Sequence, residues 1–407
     1  MPAARTLRRL ALASATLVVT LVARAQPASA KDDDATARAT SADPAVAAAA
    51  VAELRAKGPE GLAQLLAARE YELTGLEISG DAGRRLIAAI DATAAQRDAR
   101  FSRLYWHTDL ESAVARARAE KKPILSLRLL GRLDQERSCA NSRFFRTALY
   151  ADPAVSKALS EGFVLHWKSV RPVPIVTIDF GDGRVIERPF TGNSVHYVLD
   201  AEGQVVDAIP GLVGPSAFLR ALESARDETK AVEALPDAER RTRIAAWHRD
   251  AVQAQGKAWA ADLAAAGLGS PTGEPGTGLS DEAWDRLGAL HAADARLSRE
   301  SVGVMKTKTN AAAVIRLAVS KMMVEDPLVR TVRRFERSIA EDTVRNEYVH
   351  RRAIRRLIAA GAADAGVEAL NERVYAEVFL TPSSDPWLGL VPADEYAALD
   401  GAGLKLR

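Results

Sequence analysis

Ile124-Leu-Ser-Leu-Arg-Leu-Leu130, followed after a polar loop by Cys139-Ala-Asn-Ser142, is the stretch that decides the fold. The first run is short and almost wholly apolar, the pattern of a strand buried on both faces. Lys121-Lys122-Pro123 ends the helix before it. That helix begins at the capping box Thr108-Asp-Leu-Glu111 and runs to about Glu120. Beyond the loop, a helix from about Cys139 to Tyr150 carries Phe144, Phe145 and Leu149. Asp152-Pro153 supplies a cap with proline at the first helical position, and Phe163 to Trp167 reads as the next strand. Val176–Phe180 and Val185–Phe190 form a hairpin across Gly181-Asp182-Gly183, and Val195–Leu199 with Gln204–Ala208 form another. Gly214-Pro215-Ser216 opens a closing helix. Helix, strand, helix, strand, hairpins, helix makes residues 101–228 one α/β domain.

The flanks read differently. Arg5, Arg8 and Arg9 precede an apolar run, Leu10–Ala23, and Ala28-Ser29-Ala30 offers a cleavage site, so residues 1–30 read as an export leader. A periplasmic or extracellular location in a bacterium follows, with no stable membrane span once the leader is removed; a retained anchor is the alternative. The leader holds four arginines and no acid, so its loss takes the formal net charge from +2 to −2. Nothing in that charge points to nucleic acid. Residues 31–45 read as a flexible tether, and 46–100 as a helical region interrupted by a turn at Gly58-Pro59. Residues 229–407 read as helical, with a Gly/Pro loop at 267–278, helices at Trp284–Leu297, Ala311–Met323 and Pro327–Ala360, and a turn-rich Thr381–Gly389.

Cys139 is the only cysteine, so no internal disulfide is possible. At a helix start, unpaired N–H groups and the macrodipole stabilise a thiolate. Arg137, Arg143 and Arg146 add positive charge nearby, Ser142 lies within reach of the sulfur, and the polar neighbours predict an accessible thiol. Residues 106–226 resemble a thioredoxin-like domain. The resemblance rests on Trp106-His-Thr-Asp109, Lys122-Pro123-Ile124-Leu125, the Cys-x-x-Ser of 139–142, Asp152-Pro153-Ala154-Val155 and Phe163-Val164. It implies a central mixed sheet flanked by helices, with Cys139 as the attacking thiol and Ser142 in place of a second cysteine. It also implies that Asn193 and Ser194 form the substrate-binding loop, Ser194 standing where the family keeps a cis-proline.

A lone thiol can attack a partner's disulfide but cannot resolve the adduct within its own subunit. The expected activity is therefore monothiol disulfide exchange or isomerisation on protein thiols or disulfides. The rival is a non-catalytic scaffold whose helical C-terminal region binds a protein partner. No cofactor is expected and no metal set is legible. His166 and His196 have room to neighbour each other in the sheet but read as satisfied, half-buried strand residues, and Glu347-x-x-His350 lacks the second copy that a di-iron bundle needs. Nine arginines against four acids between Arg330 and Arg356 read as a solvated helix face. Oligomeric state is not legible.

Overall fold

The computed structural model describes residues 35–74, 78–269, 273–308, 327–391 and 398, with backbone alone at 327–329. The leader and the helix expected at Ala311–Met323 lie outside them. Three helices lead: α1 (Pro44–Ala56), α2 (Pro59–Ala68) and α3 (Gly80–Ala94). Asp43 caps α1, its Oδ1 accepting from the N–H of Ala45 and Val46; such a cap contributes about 1 kcal/mol. Leu54, Leu62, Leu65, Leu86 and Ile90 form their common core. Gly61 is required there, since a Cβ would sit 1.9 Å from the Leu54 carbonyl oxygen. Ala35 and Ala39 are buried in the same core, so the tether expected over 31–45 is packed from residue 35 onward. Small apolar side chains that look featureless in sequence fit the tight helix contacts.

The sheet is built as read. Helix α4 (Leu110–Glu120) precedes β1 (Ile124–Leu130), though Asp109 rather than Thr108 caps it, accepting from Ser112 N–H at 2.8 Å. Helix α5 (Ala140–Phe144) widens into a π-helical turn at Phe145–Leu149, and α6 (Pro153–Gly162) leads to β2 (Val164–Arg171). After β3 (Ile175–Asp179) and β4 (Val185–Pro189) come β5 (Ser194–Leu199), β6 (Val205–Pro210) and α7 (Pro215–Val232). The molecule is mixed α/β, with a four-stranded sheet in the order β2-β1-β5-β6. β1 and β2 are parallel, while β5 runs antiparallel to both β1 and β6. The hairpin β3-β4 forms a separate two-stranded sheet.

Period-two alternation gives the sheet two apolar faces. Leu125, Leu127, Leu129, Leu165, Trp167, Val198 and Ile209 share one face with Phe145 and Leu149 of the π-helical turn, Leu159 of α6, and Phe218 and Leu222 of α7. Ile124, Val164, Val195, Tyr197 and Ala208 share the other with Ala113 and Ala117 of α4. The C-terminal helices complete both layers. These are α8 (Asp237–Ala265), α9 (Asp281–Leu290), α10 (Arg299–Lys308), α11 (Pro327–Arg345), α12 (Arg352–Ala359) and α13 (Val367–Arg373). Ile354, Ile358, Leu370 and Val374 close the second face, and Ile339, Ala340 and Tyr375 reach the first. Residues beyond 228 thus share the sheet's core. Among the described residues no helix is long and apolar enough to cross a membrane.

Candidate functional site

Cys139 caps α5, where the sequence placed it. Its backbone is non-helical, with φ −59° and ψ 165°, and its Sγ accepts from the Ser142 N–H at 3.4 Å. The expected accessibility is overturned: Cys139 is 0 % exposed and lies within the first apolar core. Burial pushes the thiol above its ordinary pKa, outweighing the hydrogen bonds from Ser142 and the nearby Arg143 that favour a thiolate. The positive surround is also thinner than the sequence suggests. Arg137 pairs with Glu187. Arg146 is buried and pairs with Asp98 at 2.9 Å while donating to the Glu136 carbonyl. Ser142 is buried too, its hydroxyl lying between Ser138 Oγ and the Cys139 carbonyl.

The loop assigned to substrate does come to the sulfur's helix. Ala140 N–H donates to the Thr191 carbonyl at 3.5 Å, and Asn141 Nδ2 donates to Ser194 Oγ at 2.8 Å. Thr191 takes a left-handed φ of 65°, and a Cβ on Gly192 would sit 3.1 Å from the Ala140 nitrogen. The loop is therefore pressed onto the helix start. No peptide among the described residues is cis.

What covers this site was not readable from sequence. Past α13 the chain makes a π-helical turn at Val374–Val378, and the Tyr375 hydroxyl donates to the Asn193 carbonyl at 3.0 Å. Asn193 Nδ2 donates to Thr381 Oγ1 at 3.2 Å, and Arg171 donates to the Asp385 carbonyl at 2.7 Å. Tyr375 stands within electrostatic reach of the sulfur, and Leu388 is buried in the same core. Only the apolar spacing of Leu370, Val374 and Val378 hinted at a packed helix; nothing local marked Tyr375 as a cover.

The remaining candidates separate. His166 pairs in register with Ser126, and His196 with Leu127, one residue apart on β1. They therefore lie on opposite faces of the sheet and do not neighbour each other. His166 Nδ1 meets Ser126 Oγ at 2.8 Å, and His196 Nε2 meets the Tyr150 hydroxyl at 2.6 Å. Burial lowers each imidazole to about 3, so both are neutral at physiological pH. No group of three metal-ligating side chains occurs among the described residues. Glu347 is held by Gln255 and Arg351, and His350 by Asn346. The run at 330–356 is not a solvated face throughout, since Arg351 and Arg355 are buried.

One surface is conspicuously apolar. On the hairpin, Val176, Ile178, Phe180, Ile186 and Phe190 are exposed, Phe180 by 52 %. Ladder pairs Ile178–Ile186 and Val176–Arg188 put the first four on one face with Arg188. Leu380, Trp387 and Leu390 are exposed on the C-terminal segment that Arg171 ties to the end of β2, just before the hairpin. No protein-family model, curated protein or solved structure matches the chain.

Proposed function

We propose that the protein is an exported, thioredoxin-like scaffold that performs no thiol chemistry in its folded state and engages a protein partner through its C-terminal region and the adjoining hairpin. The observation that carries this reading is the enclosed sulfur: attack on a disulfide needs a thiolate that its target can reach. Cys139 has neither the exposure nor the lowered pKa. The thioredoxin-like reading is supported by the mixed four-stranded sheet flanked by helices and by the helix that starts at Cys139 after β1. Export is supported by the residue pattern of 1–30 alone. Partner binding is supported by the apolar hairpin face and by Leu380, Trp387 and Leu390, side chains that a monomer in water gains nothing by exposing together.

The test has two arms. A photo-crosslinking residue at Phe180, with exposed Tyr71 as control position, is expected to give a defined adduct in extract from the native host. Cys139→Ala is expected to leave that adduct unchanged. Incubation of the folded protein with oxidised glutathione is expected to leave its intact mass unaltered. A Cys139-dependent mixed disulfide formed at neutral pH would overturn the scaffold reading in favour of monothiol exchange.

A further inference from the structure

Between β6, α7 and the C-terminal helices lies a cavity of about 300 Å³ that has no part in the cysteine site. Ile209, Pro210 and Val213 give it an apolar wall, and Arg220, Arg351 and Arg355 line it with guanidinium groups. A π-helical turn at Asn346–Arg351 brings Glu347 and Arg351 to this place, the kind of helix irregularity that recurs at functional sites.

The three arginines are not equivalent. Arg351 donates to Asp207 at 2.7 Å and to Glu347 at 3.1 Å. Arg220, 62 % exposed at the cavity's outer side, donates to Asp294 at 2.7 Å. Arg355 makes no hydrogen bond with the described residues. Its side chain is only 9 % exposed, and its nearest carboxylate oxygen, on Glu347, is 3.9 Å away. The Trp247 ring lies 5.9 Å from it. The nearby acids hydrogen-bond elsewhere: Asp207 Oδ2 to Arg351, Glu347 to Arg351 and Gln255, and Asp294 to Arg220, with His291 also beside Asp294. The Arg355 Nε is enclosed with no hydrogen-bond partner among the described residues, while its two terminal nitrogens open on the cavity and meet no acceptor among them, so an oxyanion entering there would find free donors.

We propose that this cavity binds a small molecule bearing a carboxylate or phosphate group, with Arg355 holding the oxyanion inside, Arg220 reaching it from the rim, and the β6 wall covering its apolar part. A guanidinium presents a planar fork of donors that fits either oxyanion in bidentate fashion. The inference is independent of the cysteine reading.

Thermal unfolding of the full chain tests it, with inorganic phosphate and succinate as probes and chloride at matched ionic strength as reference. For the wild type we expect a saturable rise of about 2 °C or more with at least one probe. The probe that acts separates phosphate from carboxylate chemistry. Arg355→Met should abolish the rise, yet without probe it should melt no lower than the wild type, because it removes a buried charge that lacks hydrogen bonds. Arg355→Lys should keep a weakened rise. Three results would each overturn the proposal. They are no rise beyond chloride in the wild type, an equal rise in Arg355→Met (an adventitious ion only), or an Arg355→Met protein that melts well below the wild type without probe, which would mark Arg355 as structural.

Discussion

Acid should unfold this protein through a histidine that never meets water. His196 is 1 % exposed, wedged edge-on between Phe145 and Phe218, with its Nε2 on the Tyr150 hydroxyl. Its folded pKa is lowered from 6.5 to about 3 by burial alone. The unfolded chain therefore takes up a proton below about pH 6.5 that the folded chain refuses. Stability from this group is complete above about pH 7 and is lost as pH falls from 6.5 toward 3. At pH 5 the loss is about 2 kcal/mol, out of a total stability on the order of 5–15 kcal/mol. His166 adds a similar loss, while Asp91 and Asp342, both raised to about 6, oppose it by taking up protons in the folded state. The variant His196→Gln isolates the effect, since glutamine offers Tyr150 an acceptor but does not titrate in this range. Urea unfolding followed by tryptophan fluorescence, at pH 7.5 and pH 5, gives both stabilities. The wild type should lose about 2 kcal/mol more than the variant over that interval. Equal losses in the two proteins would refute the reasoning and mean that His196 reaches solvent or is charged when folded.

Two further predictions concern how the C-terminal helices are fastened to the sheet. Asp207→Ala removes the 0 %-exposed partner of buried Arg351 and should cost about 3–5 kcal/mol in urea unfolding, whereas a surface-like cost below 1 kcal/mol would show the pair to be solvated. Gly214→Ala would drive a Cβ to 2.2 Å from the Asp294 carbonyl oxygen, so about 1–3 kcal/mol of destabilisation is expected from overpacking; an unchanged midpoint would separate α7 from the turn at Asp294.

Local chemistry made the sheet legible. Asp152-Pro153 caps α6 as read, β1 runs over Ile124–Leu130 as read, and both hairpins form. The helix start at Cys139 was legible for the same reason: a cap is decided by a few neighbouring residues. The sulfur's surroundings were not, because they come from far along the chain. Tyr375 and Thr381 close over Asn193 from more than 180 residues away, and no local pattern encodes that approach. Arg137 and Arg146 read as a positive halo only while Glu187 and Asp98 are unplaced. The histidines are satisfied side chains of the core, as read, but a one-residue offset between the partners of His166 and His196 on β1 puts them on opposite faces, and register is set by the assembled sheet. The reading of 330–356 as solvated failed at Arg351 because Asp207, which holds it, lies on β6.

The most direct measurement is the second-order rate at which iodoacetamide alkylates Cys139 at pH 7.5, in the folded protein and in denaturing urea. A sulfur buried in the apolar core beside Tyr375 should react at least about a hundredfold more slowly when folded, since both exposure and thiolate fraction are suppressed. A folded rate equal to or above the unfolded one would mean an open, activated thiol and would contradict the account.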